Sequence, residues 1–356
     1  MIMAGGTGGH VFPGLAVAAT LRERQHPIVW IGTHRGLEST LVPEHGIDID
    51  WISISGIRSS GLAAWLAAPF KIVFAIAQAM RIFHRCRPGA VLGLGGFVSG
   101  PGGIAAWLTR RPLLIHEQNA IAGTTNRLLA RFAKQVFEAF PGSFPASVEA
   151  SWIGNPVRRE IASLPPPRER SIAAPHRRVR VLVLGGSRGA RVLNRVLPPA
   201  VKGLSALRNP EIRHQSGSAV EETAASYTEA GIDAGVEAFI DDMAAAYAWA
   251  DLVVARAGAL TVTELAACGV GAILVPFPYA VDDHQTENAR RFVAAGAAVL
   301  IPERELDAGR LGRELERLLS DRGLLLRMAE QARAQARPDA AEQLADACLR
   351  YAGGAS

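Results

Sequence analysis

Short apolar runs alternate with stretches of helical periodicity along most of the chain. In the first half, the helical pattern covers Pro13–Glu23, Pro69–Arg85 and Thr124–Phe132. The predicted strands of this half are Ile28–Ile31, Ile47–Ile54, Ala90–Leu94, Leu113–His116 and Gln135–Phe137. This alternation predicts a parallel sheet with right-handed crossovers.

The second half repeats the plan. Its predicted strands are Arg180–Leu184, Glu211–Gln215, Val236–Phe239, Leu252–Ala255 and Ala272–Val275. Because 356 residues exceed one ordinary core, we expect two doubly wound, Rossmann-like α/β domains. The proline- and charge-rich segment 164–170 predicts an N-terminal domain over 1–160 and a C-terminal domain over 161–337. The last predicted helix, within 338–356, could pack back onto the first domain or belong to the second.

Glycine-rich turns follow an apolar run in each half. Gly5–His10 opens the chain, Gly185–Ala190 opens the second half, and Gly93–Gly103 is a third example. Such a turn lets backbone N–H groups approach an anion at the N-terminus of a helix. A single turn is weak evidence, since tight turns also use glycine for steric reasons. Two glycine-rich turns at corresponding positions of the two halves predict phosphate sites on two domains that face each other across a cleft.

Two further segments of the second half combine polar side chains with a predicted helix start. In Ala259–Glu264, the amides and the Thr261 hydroxyl suit a phosphate, and Glu264 suits ribose hydroxyls. The same segment fits a Thr261–Glu264 capping box, which is the stronger interpretation of these residues alone. In the loop that follows Phe277, Gln285 and Asn288 suit hydroxyl recognition, whereas Asp283 could simply cap the next helix.

In the first half, His10 is the best candidate for acid–base chemistry, because imidazoles exchange protons near neutral pH. A histidine that merely lines the turn is an equal alternative. The polar run His116–Asn119 ends a predicted strand, where such sheets place their sites. Asp48 and Asp50 have the spacing of metal-dependent sugar transferases, but they alternate with apolar residues and are expected to face solvent. We therefore predict no metal site.

The composition limits the partners. The formal net charge of +5 favours anions such as phosphorylated metabolites, anionic lipid or nucleic acid. The basic residues form no block, so we expect no nucleic-acid partner. Cys86, Cys268 and Cys348 are isolated, which indicates a reducing compartment and no zinc site.

The stretch Leu62–Met80 is nearly continuous in apolar residues, although Pro69, Lys71 and Gln78 interrupt it. An interfacial helix fits this pattern better than a membrane-spanning one. The predicted membrane contact comprises Trp65, Leu66, Phe70, Ile72, Val73 and Phe74, with Lys71, Arg81, Arg85 and Arg87 nearby. The alternative is that these side chains pack the domain core.

Several motifs occur in one order along the chain. They are Gly5–His10 with Phe12–Gly14, His116–Asn119, Gly154–Arg158, Gly185–Ser187 with Gly189–Arg191, and Ala259–Thr261 with Glu264. Together they closely resemble the MurG family of bacterial GlcNAc transferases, over essentially the whole chain.

The resemblance implies a GT-B fold and inverting transfer of GlcNAc from UDP-GlcNAc, without metal or cofactor. The acceptor would be the C4 hydroxyl of lipid I, giving lipid II at the cytoplasmic face of the inner membrane. The implied enzyme is peripheral on an anionic membrane surface. Contacts with other cell-wall synthesis or division proteins are an open expectation.

Carried over by position, the family site gives the donor contacts of each domain. Those of the first domain are Thr7, Gly8, Gly9 and Asn119. Those of the second are Arg158, Ser187, Ile240, Ala259, Leu260, Thr261, Val262, Thr263, Glu264 and Gln285. Ser187 and Thr261 would hold the diphosphate, Glu264 the ribose, and the Ile240 backbone the uracil. His10 would be the base, with Glu117 as the alternative.

Two features depart from the family pattern. The first strand is shorter than usual, and His284–Gln285 replaces a pair of glutamines in the donor-sugar loop. The competing functions are a GT-B glycolipid transferase that uses UDP-galactose and a non-catalytic nucleotide-sugar binder. A nicotinamide-dependent oxidoreductase is more distant, because neither half combines G-x-G-x-x-G with the required acidic residue.

Overall fold

The structure is a computed structural model. It describes residues 1–54, 62–170, 177–185, 190–205, 209–280 and 283–353, and for residues 62–67 the backbone alone. The chain divides into two compact units. Unit 1 comprises residues 1–158 and 337–356, and unit 2 comprises residues 159–336.

Unit 1 contains a parallel sheet of seven strands in the order β3-β2-β1-β4-β5-β6-β7. The strands are β1 (Ile2–Met3), β2 (Val29–Gly32), β3 (Asp48–Trp51), β4 (Val91–Gly93), β5 (Leu113–Glu117), β6 (Gln135–Glu138) and β7 (Ala150–Trp152). The helices are α1 (Gly8–Glu23), α2 (Glu38–Glu44), α3 (Leu62–Cys86), α4 (Ser99–Leu108), α5 (Thr124–Leu129) and α14 (Ala340–Gly353). Two apolar clusters fill the unit, one built around α1 and α14 and the other around α3, α4 and α5.

Unit 2 contains a parallel sheet of six strands in the order β10-β9-β8-β11-β12-β13. The strands are β8 (Arg180–Leu184), β9 (Glu211–Gln215), β10 (Ala234–Glu237), β11 (Leu252–Ala255), β12 (Gly271–Leu274) and β13 (Ala298–Leu300). The helices are α6 (Arg159–Ala162), α7 (Arg191–Lys202), α8 (Val220–Glu229), α9 (Met243–Trp249), α10 (Ala259–Cys268), α11 (His284–Ala294), α12 (Ala308–Leu319) and α13 (Arg322–Ala334). Short 3-10 turns cover Pro167–Glu169 and Glu303–Glu305.

The strand order reverses direction at one point in each sheet. In unit 1 this point lies between β1 and β4, and in unit 2 it lies between β8 and β11. Ligands of doubly wound sheets bind beyond the carboxyl ends of the strands at such a point. The glycine turns after β1 and β4, and the start of α10 after β11, occupy these positions. The predicted α/β class with two Rossmann-like sheets is confirmed.

Most predicted strands match observed ones to within a few residues. Two strands were missed, β7 and β13, and each has only three residues. The predicted strand Ile47–Ile54 ends at Trp51. No helix in the part of the chain that the structure describes is long and apolar enough to cross a membrane.

Candidate active site

The first glycine turn is shaped by a carboxylate beneath it. Glu38 is fully buried and accepts hydrogen bonds from the backbone N–H of Gly6 (2.8 Å) and of Thr33 (2.9 Å). Gly6 has a φ of +93°, which favours glycine. A Cβ atom on Gly5 would lie 2.5 Å from Oε1 of Glu38, so this glycine makes room for the carboxylate. No sequence pattern pointed to Glu38, because its role depends on a contact across 32 residues.

The turn leads directly into α1. Thr7 is the N-cap residue, and its side chain makes no capping hydrogen bond. The amides of His10 and Val11 bond to the Thr7 carbonyl, whereas Gly8 and Gly9 hold the first helical positions, whose N–H groups lack a partner within the helix. Thr7, Gly8 and Gly9 therefore lie where an anion-binding helix start requires them.

His10 belongs to a network of side chains at the carboxyl end of β5. Its Nδ1 lies 3.0 Å from Oε1 of Gln118, and Nε2 of Gln118 lies 3.1 Å from Nδ1 of His116. Nε2 of His116 donates to the Gly154 carbonyl at 2.8 Å. Burial lowers the pKa of His116 to about 4. His10 is half-buried, whereas His116 and Gln118 are buried.

Glu117 has a different role from the one we considered. Its two carboxylate oxygens accept hydrogen bonds from the backbone N–H of Asn119 and Gly123 and from the side-chain amides of Asn119 and Asn126, at 2.9 to 3.2 Å. The side chain is 2% exposed. A carboxylate held by four donors braces the loop after β5 and is a poor candidate for the base. The same contact positions Asn119, which is half-buried.

The third glycine turn, after β4, lies against the first. A Cβ on Gly96 would lie 2.3 Å from the Gly5 carbonyl oxygen, and one on Gly95 would lie 2.9 Å from Cε1 of His10. Both glycines have positive φ. Ser99 donates to the Gly95 carbonyl and so ties the turn to α4. The close approach of the two turns explains why both need glycine.

Arg158 lies in unit 1, although we expected it among the contacts of the second domain. Its guanidinium carbon is 5.2 Å from the centre of the Phe12 ring on α1. The motif Gly154–Arg158 therefore belongs to the same side of the fold as His10. The assignment of Arg158 to the second domain, which came from the family resemblance, was wrong. The predicted span of the first domain, 1–160, already included this residue.

In unit 2, α10 starts three residues earlier than a Thr261–Glu264 capping box requires. Gly258 is the N-cap residue, and no side chain caps the helix. Thr261 is therefore the third residue of the helix, so the Thr261–Glu264 capping box is wrong. Glu264 is 5% exposed, and its Oε2 accepts a hydrogen bond from the Tyr247 hydroxyl at 3.0 Å.

The loop before α11 uses several of its polar side chains for its own structure. Oε1 of Gln285 accepts from the Phe277 amide at 2.9 Å. Asn288 is buried and donates to the Ala257 carbonyl, so it is a structural residue and does not fit hydroxyl recognition. Asp283 occupies the N-cap position in a left-handed conformation but caps no backbone amide, since its carboxylate accepts from the Thr286 hydroxyl.

Other expected positions are distributed over unit 2. Ile240 is 2% exposed and follows β10. Ala259, Leu260, Val262 and Thr263 form the first turns of α10, where Thr263 donates to the Ala259 carbonyl. Ser187 lies outside the described residues.

Among the described residues, no group of three or more His, Cys, Asp or Glu side chains could hold a metal ion. Asp48 is exposed at the edge of the sheet, as expected, whereas Asp50 is half-buried and forms an ion pair with Arg85. One of the two carboxylates that a DxD metal site requires, that of Asp50, is thus engaged by a cation.

Known proteins resemble this chain over its whole length. The glycosyltransferase family 28 N-terminal domain model matches residues 1–138, and the corresponding C-terminal domain model matches residues 180–344. A UDP-N-acetylglucosamine–N-acetylmuramyl-(pentapeptide) pyrophosphoryl-undecaprenol N-acetylglucosamine transferase of Nitrosococcus oceani is 56% identical over 99% of both chains. The crystal structure of Acinetobacter baumannii MurG is 43% identical and superposes with a TM-score of 0.85, covering 98% of this chain and 99% of that one. The chain belongs to the MurG family.

This membership confirms the resemblance inferred from the motifs. A second transferase of the same name, from Alkalilimnicola ehrlichii, is 54% identical over 99% of this chain and 98% of its own length. Within unit 1, the structure brings His10, Asn119 and Arg158 to the carboxyl side of one sheet with the Thr7–Gly9 turn. Gln118, which contacts His10, lies within the polar run His116–Asn119 that was expected at a site, although no role was predicted for it. Glu38, which supports the first glycine turn, was not expected as a functional residue.

Proposed function

We propose that this protein transfers GlcNAc from UDP-GlcNAc to the C4 hydroxyl of MurNAc in lipid I, which produces lipid II for peptidoglycan synthesis. The observation that carries the proposal is the 56% identity over 99% of both chains with a transferase of that name. The match covers both units, so it includes the segments that would bind the donor and the acceptor.

In the proposed reaction, the acceptor oxygen forms a bond to the anomeric carbon of GlcNAc, and the bond from that carbon to UDP breaks. His10 accepts the proton of the attacking hydroxyl. The departing diphosphate gains negative charge, which the N-terminus of α10 and the Thr261 hydroxyl would stabilise. Glu264, held by Tyr247, would accept hydrogen bonds from the ribose.

The decisive experiment supplies purified protein with radiolabelled UDP-GlcNAc and a soluble lipid I analogue. We expect label in a product that carries GlcNAc on MurNAc, and no comparable product with UDP-galactose. A His10→Asn variant should bind UDP with unchanged affinity but lose most of the transfer. Transfer from UDP-galactose alone would identify a different glycolipid transferase, and binding without transfer would identify a nucleotide-sugar binder.

We further propose that the transfer needs no metal ion. The fixed dipoles at the start of α10 would stabilise the leaving diphosphate in the role that a divalent cation has in other transferases. Activity should therefore persist in excess EDTA, measured in the same labelling assay. Loss of activity with EDTA and recovery with Mg²⁺ or Mn²⁺ would contradict this expectation and return attention to Asp48 and Asp50.

We also propose that α3 rests on an anionic membrane, at the cytoplasmic face where the acceptor would be anchored. Phe70, Val73 and Phe74 are 80%, 65% and 54% exposed, and their spacing places them on one side of the helix. The opposite side, with Ala79 and Phe83, is buried in the core. The helix is thus apolar on both sides, and for the exposed side chains the core-packing alternative is wrong.

Basic side chains accompany this apolar side. Lys71, Arg81, Arg85 and Arg87 are exposed, and Arg85 is paired with Asp50. Each Lys or Arg near an anionic surface adds about 1 kcal/mol to membrane binding. Ile72 is half-buried, and the side chains of Trp65 and Leu66 lie outside the described residues.

A further inference from the structure

The buried amide of Gln118 has only one orientation that satisfies its neighbours. Its Nε2 lies 3.1 Å from the backbone carbonyl oxygen of His116 and 3.1 Å from Nδ1 of the same residue. A carbonyl oxygen only accepts hydrogen bonds, so the group that faces it must be the NH₂ of the amide. The atom that faces His10 is therefore the amide oxygen. Gln118 is 1% exposed, so solvent offers no other arrangement.

This orientation determines the tautomer of His10. Oε1 of Gln118 lies 3.0 Å from Nδ1 of His10 and can only accept, so Nδ1 must carry a proton. In the neutral imidazole, the lone pair then lies on Nε2. We propose that Gln118 is a positioning residue that holds His10 as the Nδ1–H tautomer and so makes Nε2 the atom that accepts the acceptor's proton.

The rest of the network has the same donor sense. The NH₂ of Gln118 donates to Nδ1 of His116, which leaves the proton of that ring on Nε2, where it donates to the Gly154 carbonyl at 2.8 Å. Each hydrogen bond thus points from His10 toward Gly154, and such aligned chains strengthen their members. Asn155 donates to the Gln118 backbone carbonyl at 3.0 Å and anchors the residue from the same loop.

A neutral amide suits this position chemically. In a Ser-His-Asp triad, a carboxylate holds the histidine tautomer. An amide oxygen does so without adding a negative charge to a reaction that already involves a diphosphate donor. In naming that donor, this inference rests on the proposed function. The one carboxylate next in sequence, Glu117, is already bound by four donors that belong to the loop after β5.

The primary test is spectroscopic. The chain has nine histidines, and ¹⁵N spectra of the histidine-labelled protein distinguish Nδ1–H from Nε2–H rings, with a His10→Asn variant to assign the signal. We expect His10 in the wild type to be Nδ1–H at a pH where it is neutral. Gln118→Met keeps the approximate size of the side chain but removes both the amide oxygen and the NH₂ group, so the His10 ring should change to a mixture containing Nε2–H. An Nε2–H ring in the wild type would overturn the proposal.

Kinetics then separates positioning from folding. Gln118→Met should lower kcat by at least about tenfold. This loss is part of the about 10²–10⁴-fold rate enhancement that general base catalysis supplies, and KM for the donor should change less than about twofold. Gln118→Glu keeps an acceptor for Nδ1 of His10 but faces the His116 carbonyl with a second acceptor. It should therefore lose thermal stability yet retain more kcat than Gln118→Met.

The alternatives give opposite results. If Gln118 only stabilised the fold, Gln118→Glu would lose activity in step with its stability and would be no better than Gln118→Met. If the wild type made no product but its His10 were Nδ1–H, the proposed function would fail while the assignment to Gln118 would stand. An active wild type with unchanged kcat in Gln118→Met would refute the assignment alone.

Discussion

At the scale of single residues, the structural role of Glu264 can be tested separately from its proposed binding of the ribose. The structural role is the hydrogen bond that it accepts from Tyr247. The Tyr247 hydroxyl donates to Oε2, and a glutamine at this position keeps an acceptor for it. We expect Glu264→Gln to weaken UDP binding by ~1.5–3 kcal/mol, the value of a hydrogen bond to a charged group. Calorimetric titration with UDP measures the affinity of the variant and of the wild type. Glu229→Gln, exposed on α8, is the control, and equal affinity in both variants would leave Glu264 a purely structural role.

A second residue-scale prediction concerns Gly95, whose φ is +94°. A Cβ there would lie 2.9 Å from Cε1 of His10 and 3.6 Å from Oε1 of Gln118. Gly95→Ala should therefore displace His10 and lower kcat by more than about tenfold. The strained backbone should also lower the free energy of unfolding by about 1–3 kcal/mol.

Gly142 offers the matched control for this substitution. Its φ is +78°, and a Cβ there would meet no atom within 4 Å. Gly142→Ala should thus lose comparable stability in thermal unfolding but retain kcat. Equal kcat in the two variants would show that His10 tolerates the displacement.

The sequence indicated the polar residues of the site, but it did not show which buried residues hold them in place by hydrogen bonds. His10 and Asn119 stood out because polar side chains follow strand ends. The role of Glu38 could not be foreseen, since it depends on how α2 brings the carboxylate under Gly6. Glu117 and Gln118 lie side by side, and only their burial and partners show that one braces a loop and the other contacts His10.

At the scale of elements, long apolar strands were predictable, and short ones were not. β8, β9 and β11 match the prediction residue for residue. In β8 and β11 the signal is a run of four buried apolar residues, whereas β9 is a mostly polar strand of half-buried and buried positions. β7 has three residues, of which Ser151 and Trp152 are exposed, so it offers no such pattern. The start of α10 was misjudged because Gly258 and Thr261 both suit a helix N-terminus, and Gly258 takes that place in the structure.

The exposed side of α3 leads to the element-scale prediction. We expect the protein to sediment with vesicles that contain phosphatidylglycerol or cardiolipin, and added salt should weaken this binding. Phe70→Ser/Phe74→Ser should reduce it several-fold without lowering thermal stability, because both side chains are more than half exposed.

Tyr279→Ser provides a control in unit 2, since Tyr279 is 83% exposed but far along the chain from α3. Its vesicle binding should equal that of the wild type. Unreduced binding in the α3 pair would place the membrane contact elsewhere on the protein.

At the scale of the whole molecule, a buried imidazole with a lowered pKa occurs in the described part of each unit. Burial lowers the pKa of His116 in unit 1 and of His214 in unit 2 to about 4, from 6.5. His214 is held between the Tyr227 hydroxyl and the Asn194 amide oxygen, at 2.9 and 3.0 Å. In the unfolded chain both rings take up a proton near pH 6.5, so protonation favours unfolding below that value.

The free energy of unfolding should therefore be highest, as far as these two rings affect it, above about pH 6.5. It should fall as the pH drops toward 4, by up to about 3 kcal/mol for each histidine. Urea unfolding at several pH values measures this. His214→Gln should unfold more readily at neutral pH but show a smaller further loss between pH 6.5 and 4. The exposed His26→Gln is the control, and an equal pH dependence in all three proteins would contradict the prediction.

The position of α14 has a consequence for how the molecule is made. This helix packs on α1, where Leu344 and Cys348 join one apolar cluster with Val11 and Leu15. During synthesis, α1 leaves the ribosome early, but its covering helix follows only after all of unit 2. Unit 2 is continuous in sequence and can finish folding while the chain still grows. Unit 1 starts first and is completed last, so the apolar face of α1 that α14 covers stays uncovered until the residues after unit 2 have been made.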